Sequence, residues 1–314
     1  LALELVDKAI LSGADAIKFQ TAIPEMVATN EARKALYQIK NTGQEETQLE
    51  MIRKILLPLP AFHRIDEYCR KKGIIFFSTA FDLFSLDFLE AIGQPYHKIP
   101  SGEITNLPYL RRIGTFGKPI FLSTGMACLG EIEAAIQVIE EAGSPRSSIT
   151  VLHCTTAYPV PDNEVNLRAM QSIAQAFGVT VGYSDHSKGI EVPMAAVAMG
   201  AKVIEKHITI DRNLPGPDHL ASLEPDMFAS MVRGIRTIEQ AMGDGIKRAT
   251  SSEKNNRLIV RRSLVAAKPI LAGELFSEKN LTAKRPGKGI SPMHWDEWIG
   301  KAAARDFATD EEIR

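Results

Sequence analysis

Two histidines stand near the ends of neighbouring apolar segments. His186 follows the segment 179–185 (VTVGYSD), and His207 lies within 202–209 (KVIEKHIT). Glu205 and His207 are two residues apart, so on a strand their side chains point to one face. A lone histidine in such a strand is more often a core residue. Two imidazoles at neighbouring strand ends, however, could bind one divalent ion and leave its other positions open.

Further polar side chains follow the apolar segments. They are Lys18, Gln20 and Thr21; Ser78 and Thr79; Lys98, Ser101 and Glu103; Ser123 and Thr124; Thr155, Thr156 and Tyr158; Ser184 and Asp185. Amines and hydroxyls together suit a phosphate or carboxylate ligand. Single Ser and Thr residues could instead cap helices. Lys98 could pair with Glu205 or Glu103, and Glu103 could be a charge at a helix N-terminus.

Seven strand-like segments alternate with amphipathic helical ones. The strand-like segments are 16–21, 74–80, 96–102, 119–125, 149–155, 179–185 and 202–209, and the clearest helical stripes are 1–13, 61–71, 129–142, 167–177 and 228–242. Continuous apolar strands that alternate with helices predict βαβ units and a parallel sheet buried on both faces.

A (β/α)8 barrel needs eight strands, and here a helix precedes the first of seven. We therefore predict an α/β protein with a TIM barrel that lacks its first strand in this chain. The competing open doubly wound sheet usually has a G-x-G-x-x-G loop after its first strand, and none occurs here. The polar loop 23–49, centred on Asn41-Thr42-Gly43-Gln44-Glu45-Glu46, is either a lid or a solvated excursion.

The sequence changes character after the last helical stripe. We predict a barrel domain over 1–243, a linker rich in Gly, Lys, Ser and Glu over 244–256, and a small, mostly β domain over 257–314. The last part contains the short β-prone pieces SLVAA, ELFS and LTAKRP, separated by Pro and Gly.

Composition limits the classes of partner. The chain has 314 residues, 45% hydrophobic, with a net charge of −1 and scattered Lys and Arg, so no nucleic-acid or membrane partner is predicted. Cys69, Cys128 and Cys154 form no disulfide or zinc pattern and are predicted to be buried packing residues of a protein in a reducing compartment. No signal peptide or membrane-spanning run is evident, which predicts a cytoplasmic location.

The motifs VGYSDHS and EKHITIDRNLPGPDHLASLEP closely resemble the sialic acid synthase family, and the resemblance runs essentially from end to end. AKPILAGELFSEKNLTAKRPGKGISP resembles the antifreeze-like (SAF, β-clip) module that ends these enzymes. The resemblance implies condensation of phosphoenolpyruvate with N-acetylmannosamine to N-acetylneuraminate plus phosphate. The alternative is a legionaminic or pseudaminic acid synthase that uses a diacetamido-trideoxy-hexose. A domain-swapped homodimer is also implied, with the small module over the partner's barrel.

The same resemblance implies a role for each matching residue. His186 and His207 would bind Mn²⁺ or Mg²⁺, and Glu103, Lys98 and Lys18 would be catalytic, with Glu103 handling the water or proton at C2. The implied substrate-binding residues are Gln20, Thr79, Ser101, Ser123, Thr156, Tyr158, Ser184, Glu205, Asp218 and Arg285, the last from the partner subunit. Thr156 departs from the Asn of some members, and the missing first strand carries a carboxylate of the family's site.

Two other classes of function stay open at this point. A lyase or aldolase could form a Schiff base on Lys18, Lys98 or Lys206. A barrel that binds a sugar without turnover would keep the pocket but not the chemistry. His153 and His219 are predicted to be structural or peripheral.

Overall fold

The computed structural model describes residues 1–42 and 46–314. Positions 43–45, part of the polar centre of the loop 23–49 that was predicted to be either a lid or a solvated excursion, lie outside the described residues. The chain divides into two compact units, Leu1–Gly243 and Asp244–Arg314. The boundaries predicted for the two domains and their linker stay predictions, and the predicted linker contains the start of a helix at Ser251.

Within its described residues, 1–42 and 46–243, the first unit forms an α/β barrel wall with seven parallel strands. They are β1 (Ala16–Thr21), β2 (Ile75–Ala80), β3 (His97–Ile99), β4 (Ile120–Ser123), β5 (Ile149–Cys154), β6 (Thr180–Asp185) and β7 (Ile204–Lys206). β1 pairs with β2, and β3 to β7 pair in chain order. No strand of the described residues joins β1 to β7, and an apolar cavity of ≈480 Å³ lies there, lined by Ile17, Phe121 and Ile204 among others.

The helices of this unit are α1 (Ala2–Leu11), α2 (Pro24–Val27), α3 (Leu36–Thr42), α4 (Gln48–Ile55), α5 (Leu59–Lys72), α6 (Leu83–Ile92), α7 (Leu107–Gly114), α8 (Leu129–Glu141), α9 (Arg168–Phe177), α10 (Glu191–Ala198) and α11 (Pro225–Met242). Between α5 and β3 the helix ends are set by Gly73 and Gly93, which adopt the left-handed conformation (φ 78° and 85°) that glycine allows at low cost. Asp82 begins α6 by accepting a hydrogen bond from the Ser85 amide.

The core lies between the strands and these helices. Ile99, Ile120 and Val151 on the strands are fully buried, as are Ile113 and Ile139 on the helices that cover them. Apolar residues thus hold the wall from outside, and polar residues of the same strands are free to face the barrel interior.

Most strands are shorter than the predicted segments, β3 and β7 by the most. β3 ends at Ile99 because Pro100 has no amide hydrogen to continue the ladder. β7 ends at Lys206, so His207 lies just beyond the strand, with its carbonyl accepting a hydrogen bond from the Leu223 amide. The loop 23–49 contains α2, α3 and the start of α4, which the sequence analysis did not predict.

The second unit contains α12 (Ser251–Val260), β8 (Ser263–Ala266), β9 (Leu281–Lys284) and the short helix α13 (Trp295–Trp298). β8 and β9 are antiparallel, which agrees with the predicted small β domain. The predicted strand ELFS is present only as one isolated bridge, from Leu275 to Ala302. The core of this unit comprises Leu264, Ala266, Ile270, Phe276, Leu281, Ala303, Phe307 and Ile313. Among the described helices, none has the length and apolar character to cross a membrane.

Candidate active site

A cavity of ≈250 Å³ lies at the carboxyl ends of the barrel strands, where barrel enzymes place their active sites. Of the predicted site residues in the first unit, all except Glu103 line it. They are Lys18, Gln20, Thr79, Lys98, Ser101, Ser123, Thr156, Tyr158, Ser184, His186, Glu205, His207 and Asp218. Arg285 belongs to the second unit, where its Nε donates to the Val260 carbonyl at 2.9 Å.

One part of the cavity, the strand-borne part, is defined by Lys98, Ser123, Ser184 and Glu205, which all come from strands. Lys98 Nζ donates to Ser123 Oγ at 2.6 Å and lies 3.8 Å from Glu205 Oε1. Ser184 Oγ donates to the same Glu205 oxygen at 2.9 Å. A fixed cation with hydroxyl donors around it is suited to an anionic ligand.

Electrostatics in this part favour an ionised carboxylate. Burial alone would raise the pKa of Glu205, but the ammonium groups of Lys18 and Lys98 more than offset it, and the pKa falls to about 2. Burial lowers the pKa of Lys98, and the charge of Glu205 opposes that shift. Of the two carboxylates considered as partners of Lys98, Glu205 forms the ion pair, and the two charges offset each other before an anion enters, with Lys18 nearby as a further cation.

Two uncharged imidazoles lie beside this part. The rings of His186 and His207 have centroids 5.4 Å apart. Burial, together with nearby His186 and Lys18, lowers the pKa of His207 to about 3. Burial also lowers the pKa of His186.

The imidazole environment fits a divalent metal. His186 Nδ1 lies 2.7 Å from the Thr155 carbonyl, so Nδ1 carries the proton and Nε2 keeps a lone pair for a ligand. In residues 1–42 and 46–314 no group of three or more His, Cys, Asp or Glu side chains could hold a metal. A metal on this pair would therefore take its remaining ligands from water and substrate.

Further hydroxyl side chains line the cavity, and Gly125, which is not itself a lining residue, packs against two of them. Within the described chain, Thr79 Oγ1 is buried and has no hydrogen-bond partner, so it can donate to a ligand. Ser101 Oγ accepts from the Gly125 amide at 2.9 Å and lies 3.2 Å from Cys154 Sγ. A Cβ on Gly125 would lie 2.5 Å from Thr156 Cγ2 and 2.9 Å from Ser101 Oγ, so only glycine fits.

The loop-borne part of the cavity is defined by Tyr37, Tyr158 and Asp218 together with the apolar side chains of Val27, Met51, Ile52 and Ile55. Tyr37, on α3, stacks on Tyr158 with ring centroids 4.9 Å apart, and the Tyr158 ring lies 4.0 Å from that of His186. Asn41, also on α3, donates to the carbonyls of Tyr158 and Pro217 at 3.0 and 2.7 Å. Helix α3 is thereby fastened to the loops that follow β5 and β7.

Asp218 lies at the junction of the two parts. Its carboxylate is 4.0 Å from His207 Nδ1, and burial raises its pKa to about 6, opposed by Lys18. Its Oδ1 is buried without a hydrogen-bond partner in the described part of the chain. A buried polar atom without a partner is costly, so it suits a ligand hydroxyl or amide.

Glu103 lies on a short 3-10 turn, Ser101–Glu103, directly after β3. Its Oε2 accepts from Asn106 Nδ2 at 2.5 Å, and burial raises its pKa. The lining residue Gly102 is its neighbour, so Glu103 stands at the margin of the cavity.

Other predicted residues serve elsewhere. Lys206 does not line this cavity, because its ammonium is bonded to Asp185 on the other face of the sheet, and this argues against Lys206 as a Schiff-base lysine. His153 bonds to the Val165 carbonyl and His219 to Thr209, as expected of structural histidines.

The cysteine prediction was only partly correct. Cys69 is a buried packing residue, but Cys128 is exposed at the start of α8. Cys154 is buried and lines the cavity, so it is not a packing residue alone.

Sequence reasoning missed the residues contributed by α2, α3 and α4. The signal was weak: loop 23–49 was interpreted as a lid or excursion, and Tyr37 is separated from Tyr158 by more than a hundred positions. Gly125 had a clearer signal, because STG directly ends a strand segment and a glycine there often permits close backbone approach.

Comparisons with known proteins cover the whole chain. Residues 5–247 match the NeuB family model, and residues 261–314 match the SAF domain model. An N,N'-diacetyllegionaminic acid synthase from Campylobacter jejuni is 53% identical over 100% of this chain and 94% of its own. A protein of the same name from Legionella pneumophila is 43% identical over 98% and 87%. The crystal structure of an N-acetylneuraminic acid (sialic acid) synthetase from Leptospira borgpetersenii superposes with a TM-score of 0.70 and 34% identity, covering 82% of this chain and 84% of the other.

Proposed function

Because the chain belongs to the NeuB family, we propose that this nonulosonic acid synthase condenses phosphoenolpyruvate with a 2,4-diacetamido-trideoxy-mannose to form N,N'-diacetyllegionaminic acid and phosphate. The observation that carries the choice of sugar is the 53% identity to the Campylobacter synthase over the full chain, against 34% to the sialic acid synthetase. The comparisons thus favour the alternative given by the sequence analysis over its first prediction, N-acetylneuraminate.

The strand-borne part is the proposed site for phosphoenolpyruvate. The ammonium groups of Lys98 and Lys18 and the hydroxyls of Ser123, Ser184 and Thr79 would bind the carboxylate and phosphate of phosphoenolpyruvate. Thr79 contributes a donor that is already desolvated and unpartnered among the described residues, so its bond to an anion costs little. Ser101, held by the Gly125 amide, completes the ring of hydroxyls.

The metal-binding residues in this proposal are His186 and His207, which burial keeps neutral. A bound Mn²⁺ or Mg²⁺ would polarise the aldehyde of the open-chain sugar. Thr155 orients the His186 ring through the Nδ1 proton. Tyr158 packs against the same ring at 4.0 Å and restricts its rotation.

The proposed condensation forms one C–C bond and breaks one C–O bond. C3 of phosphoenolpyruvate forms a bond to the sugar aldehyde carbon, whose oxygen takes a proton and becomes a hydroxyl. A water oxygen adds at C2, and the bond from C2 to the phosphate oxygen breaks, which leaves the C2 ketone and inorganic phosphate. Glu103 would exchange the proton of that water, a role that fits a carboxyl whose pKa is raised by burial.

The loop-borne part is the proposed sugar site. Tyr158, Gln20, Thr156 and Asp218 offer hydroxyl, amide and carboxyl groups to the sugar. Much of the remaining wall is apolar, formed by Val27, Met51, Ile52 and Ile55, and Gln38 and Gln48 are polar members of the same wall. A 6-deoxy sugar presents a methyl group, and an apolar wall stabilises a methyl group but leaves a hydroxyl without partners.

The test is phosphate release from phosphoenolpyruvate by the full-length protein with Mn²⁺, comparing the diacetamido sugar with N-acetylmannosamine. We expect kcat/KM to be higher for the diacetamido sugar by about tenfold or more, with no release in EDTA. His207→Gln should be inactive with both sugars. A preference for N-acetylmannosamine would restore the first prediction, and no release from folded, metal-loaded protein would contradict the synthase activity on these sugars.

We also propose that Arg285 acts in trans, in a domain-swapped homodimer. Its guanidinium is held in the second unit by the Val260 carbonyl, and that unit has a small core of its own. Co-expression of Arg285→Ala and His207→Gln chains tests this. Heterodimers should regain activity that neither homodimer has, because one barrel receives an intact Arg285; absence of rescue in isolated heterodimers would contradict it.

A further inference from the structure

β6 and β7 are fastened to each other on both faces. Their parallel register places Ser184 opposite Glu205 and Asp185 opposite Lys206. Successive side chains of a strand alternate between faces, so the first pair faces the cavity and the second faces away. Ser184 and Glu205 are joined inside by a hydrogen bond of 2.9 Å.

The pair on the opposite face is a buried ion pair. Lys206 Nζ donates to Asp185 Oδ2 at 2.6 Å, and both side chains are fully buried. The same ammonium donates to the Ser187 carbonyl at 2.5 Å, and Asp185 Oδ1 accepts from the Ser187 amide at 2.8 Å. The turn after β6 is therefore tied at two points to one lysine on β7.

The residues that make these contacts are the sequence neighbours of the two histidines. His186 lies between Asp185 and Ser187, the two residues that Lys206 holds, and His207 follows Lys206 directly. The ion pair thus fixes the backbone on both sides of one histidine and immediately before the other. Their rings are 5.4 Å apart, with the second ring just beyond the end of its strand.

A stability role explains this pair poorly. Desolvation of two charges often costs as much as their attraction returns, and a well-packed apolar pair of similar volume is frequently as stable. Buried ion pairs contribute more clearly to one defined geometry than to stability in several systems. Here the Asp185–Lys206 ion pair would define the register of β6 against β7.

We propose that Asp185 and Lys206 are positioning residues that set the separation of His186 and His207, and thereby the affinity of the site for a divalent cation, without touching any ligand. This inference rests on the proposed function, because it takes the two histidines as the metal ligands. The proposed condensation chemistry does not use Lys206, and the positioning role would explain why this buried lysine is present.

The test compares Asp185→Asn/Lys206→Met, which keeps the volume and removes both charges, with the wild type. Mn²⁺ binding to the metal-free full-length protein is measured by the electron paramagnetic resonance signal of free Mn²⁺, and phosphoenolpyruvate binding by calorimetry without metal. We expect the Mn²⁺ dissociation constant to rise about tenfold, as for other residues that orient metal ligands, with phosphoenolpyruvate binding nearly unchanged.

The matched control is Asp87→Asn/Arg112→Met, which removes an ion pair of 2.7 Å whose side chains are about half exposed on the same barrel. It should leave both dissociation constants as in the wild type. A double variant of the buried pair with lower thermal stability but unchanged Mn²⁺ affinity would overturn the proposal. If that variant does not fold, the Mn²⁺ and phosphoenolpyruvate dissociation constants of Asp185→Asn alone decide the question. If Asp185→Asn does not fold either, the ion pair is needed for stability and the proposal is overturned.

His186→Gln and His207→Gln distinguish failure of the positioning role from failure of the proposed metal site. If either greatly weakens Mn²⁺ binding while the buried-pair variant does not, the positioning role fails and the proposed metal site stands. If neither histidine variant weakens Mn²⁺ binding, the proposed metal site fails, and the positioning role fails with it.

Discussion

The two parts of the cavity are built in different ways. In the strand-borne part, Lys98, Ser123, Ser184 and Glu205 are joined by hydrogen bonds and an ion pair. They are held by two pairs of adjacent parallel strands, β3 with β4 and β6 with β7. In the loop-borne part, the wall comes from short helices between β1 and α5, and Ile55 is 48% exposed. A rigid part suits the reactant that every nonulosonic acid synthase shares, and an adaptable part suits the sugar that differs among them.

The largest expected effect is in the strand-borne part. Lys98→Met should lower kcat/KM for phosphoenolpyruvate by about 10²–10³-fold, because it removes a buried cation from an anion site and leaves Glu205 with less compensation. Steady-state phosphate release measures this. Lys202→Met, at an exposed lysine of the same barrel, is the control and should match the wild type. Nearly normal kcat/KM in Lys98→Met would contradict the assignment of this part to the anion.

A smaller loss is expected at Gly125, which packs against Ser101 and Thr156. Gly125→Ala introduces a Cβ within 2.5 Å of Thr156 Cγ2, so Ser101 or Thr156 must move. Overpacking of this kind costs about 1–3 kcal/mol, which we expect to appear in both urea unfolding and kcat/KM. Gly130→Ala is the matched control, because its nearest neighbour, Cys128 Sγ, is 4.0 Å away. Equal behaviour of the two variants would show that the packing around Ser101 and Thr156 is adaptable too.

Sugar selectivity should change through the loop-borne part alone. Ile52→Asn places a polar group in the apolar wall, and we expect the preference for the diacetamido-trideoxy sugar over N-acetylmannosamine to fall about tenfold, since apolar pockets discriminate by about 1–3 kcal/mol per group. The ratio of the two kcat/KM values is the measurement. Ile39→Asn, on α3 but outside the lining, is the control. An unchanged ratio with lower overall activity would place selectivity elsewhere.

The same contrast separates what the sequence predicted from what it did not. Alternating strand and helix patterns predicted the barrel, and the carboxyl ends of parallel strands necessarily meet, so Lys98, Ser123 and Ser184 could be grouped without a structure. Tyr37 could not, because no periodic pattern relates α3 to Tyr158; only the docking of the helix through Asn41 brings them together. Cys128 was misplaced for a related reason, since composition does not reveal which side of a helix start faces solvent.

The smallest expected effect concerns His97, which lies next to Lys98 on β3. It is a pH-dependent change in the free energy of unfolding. His97 lies 2.9 Å from Glu90 Oε2 and 3.2 Å from Gln94 Nε2, and Lys118 bonds to the same Glu90 oxygen. Burial lowers the pKa of His97, opposed by Glu90 and aided by Lys118. The folded state therefore resists a proton that the unfolded state accepts near its ordinary pKa of about 6.5.

This sign means that the contribution of His97 to stability is complete above pH 6.5 and is lost as the pH falls below it, toward the lower pKa of the folded state. Urea unfolding at pH 7.5 and 5.5 should show a smaller decrease in the free energy of unfolding for His97→Gln than for the wild type. His63→Gln, at an exposed histidine of α5, is the control for the loss of an imidazole. If both variants keep the wild-type decrease, β3 does not depend on a neutral His97, and the rigidity of the strand-borne part must come from the cavity side of the sheet.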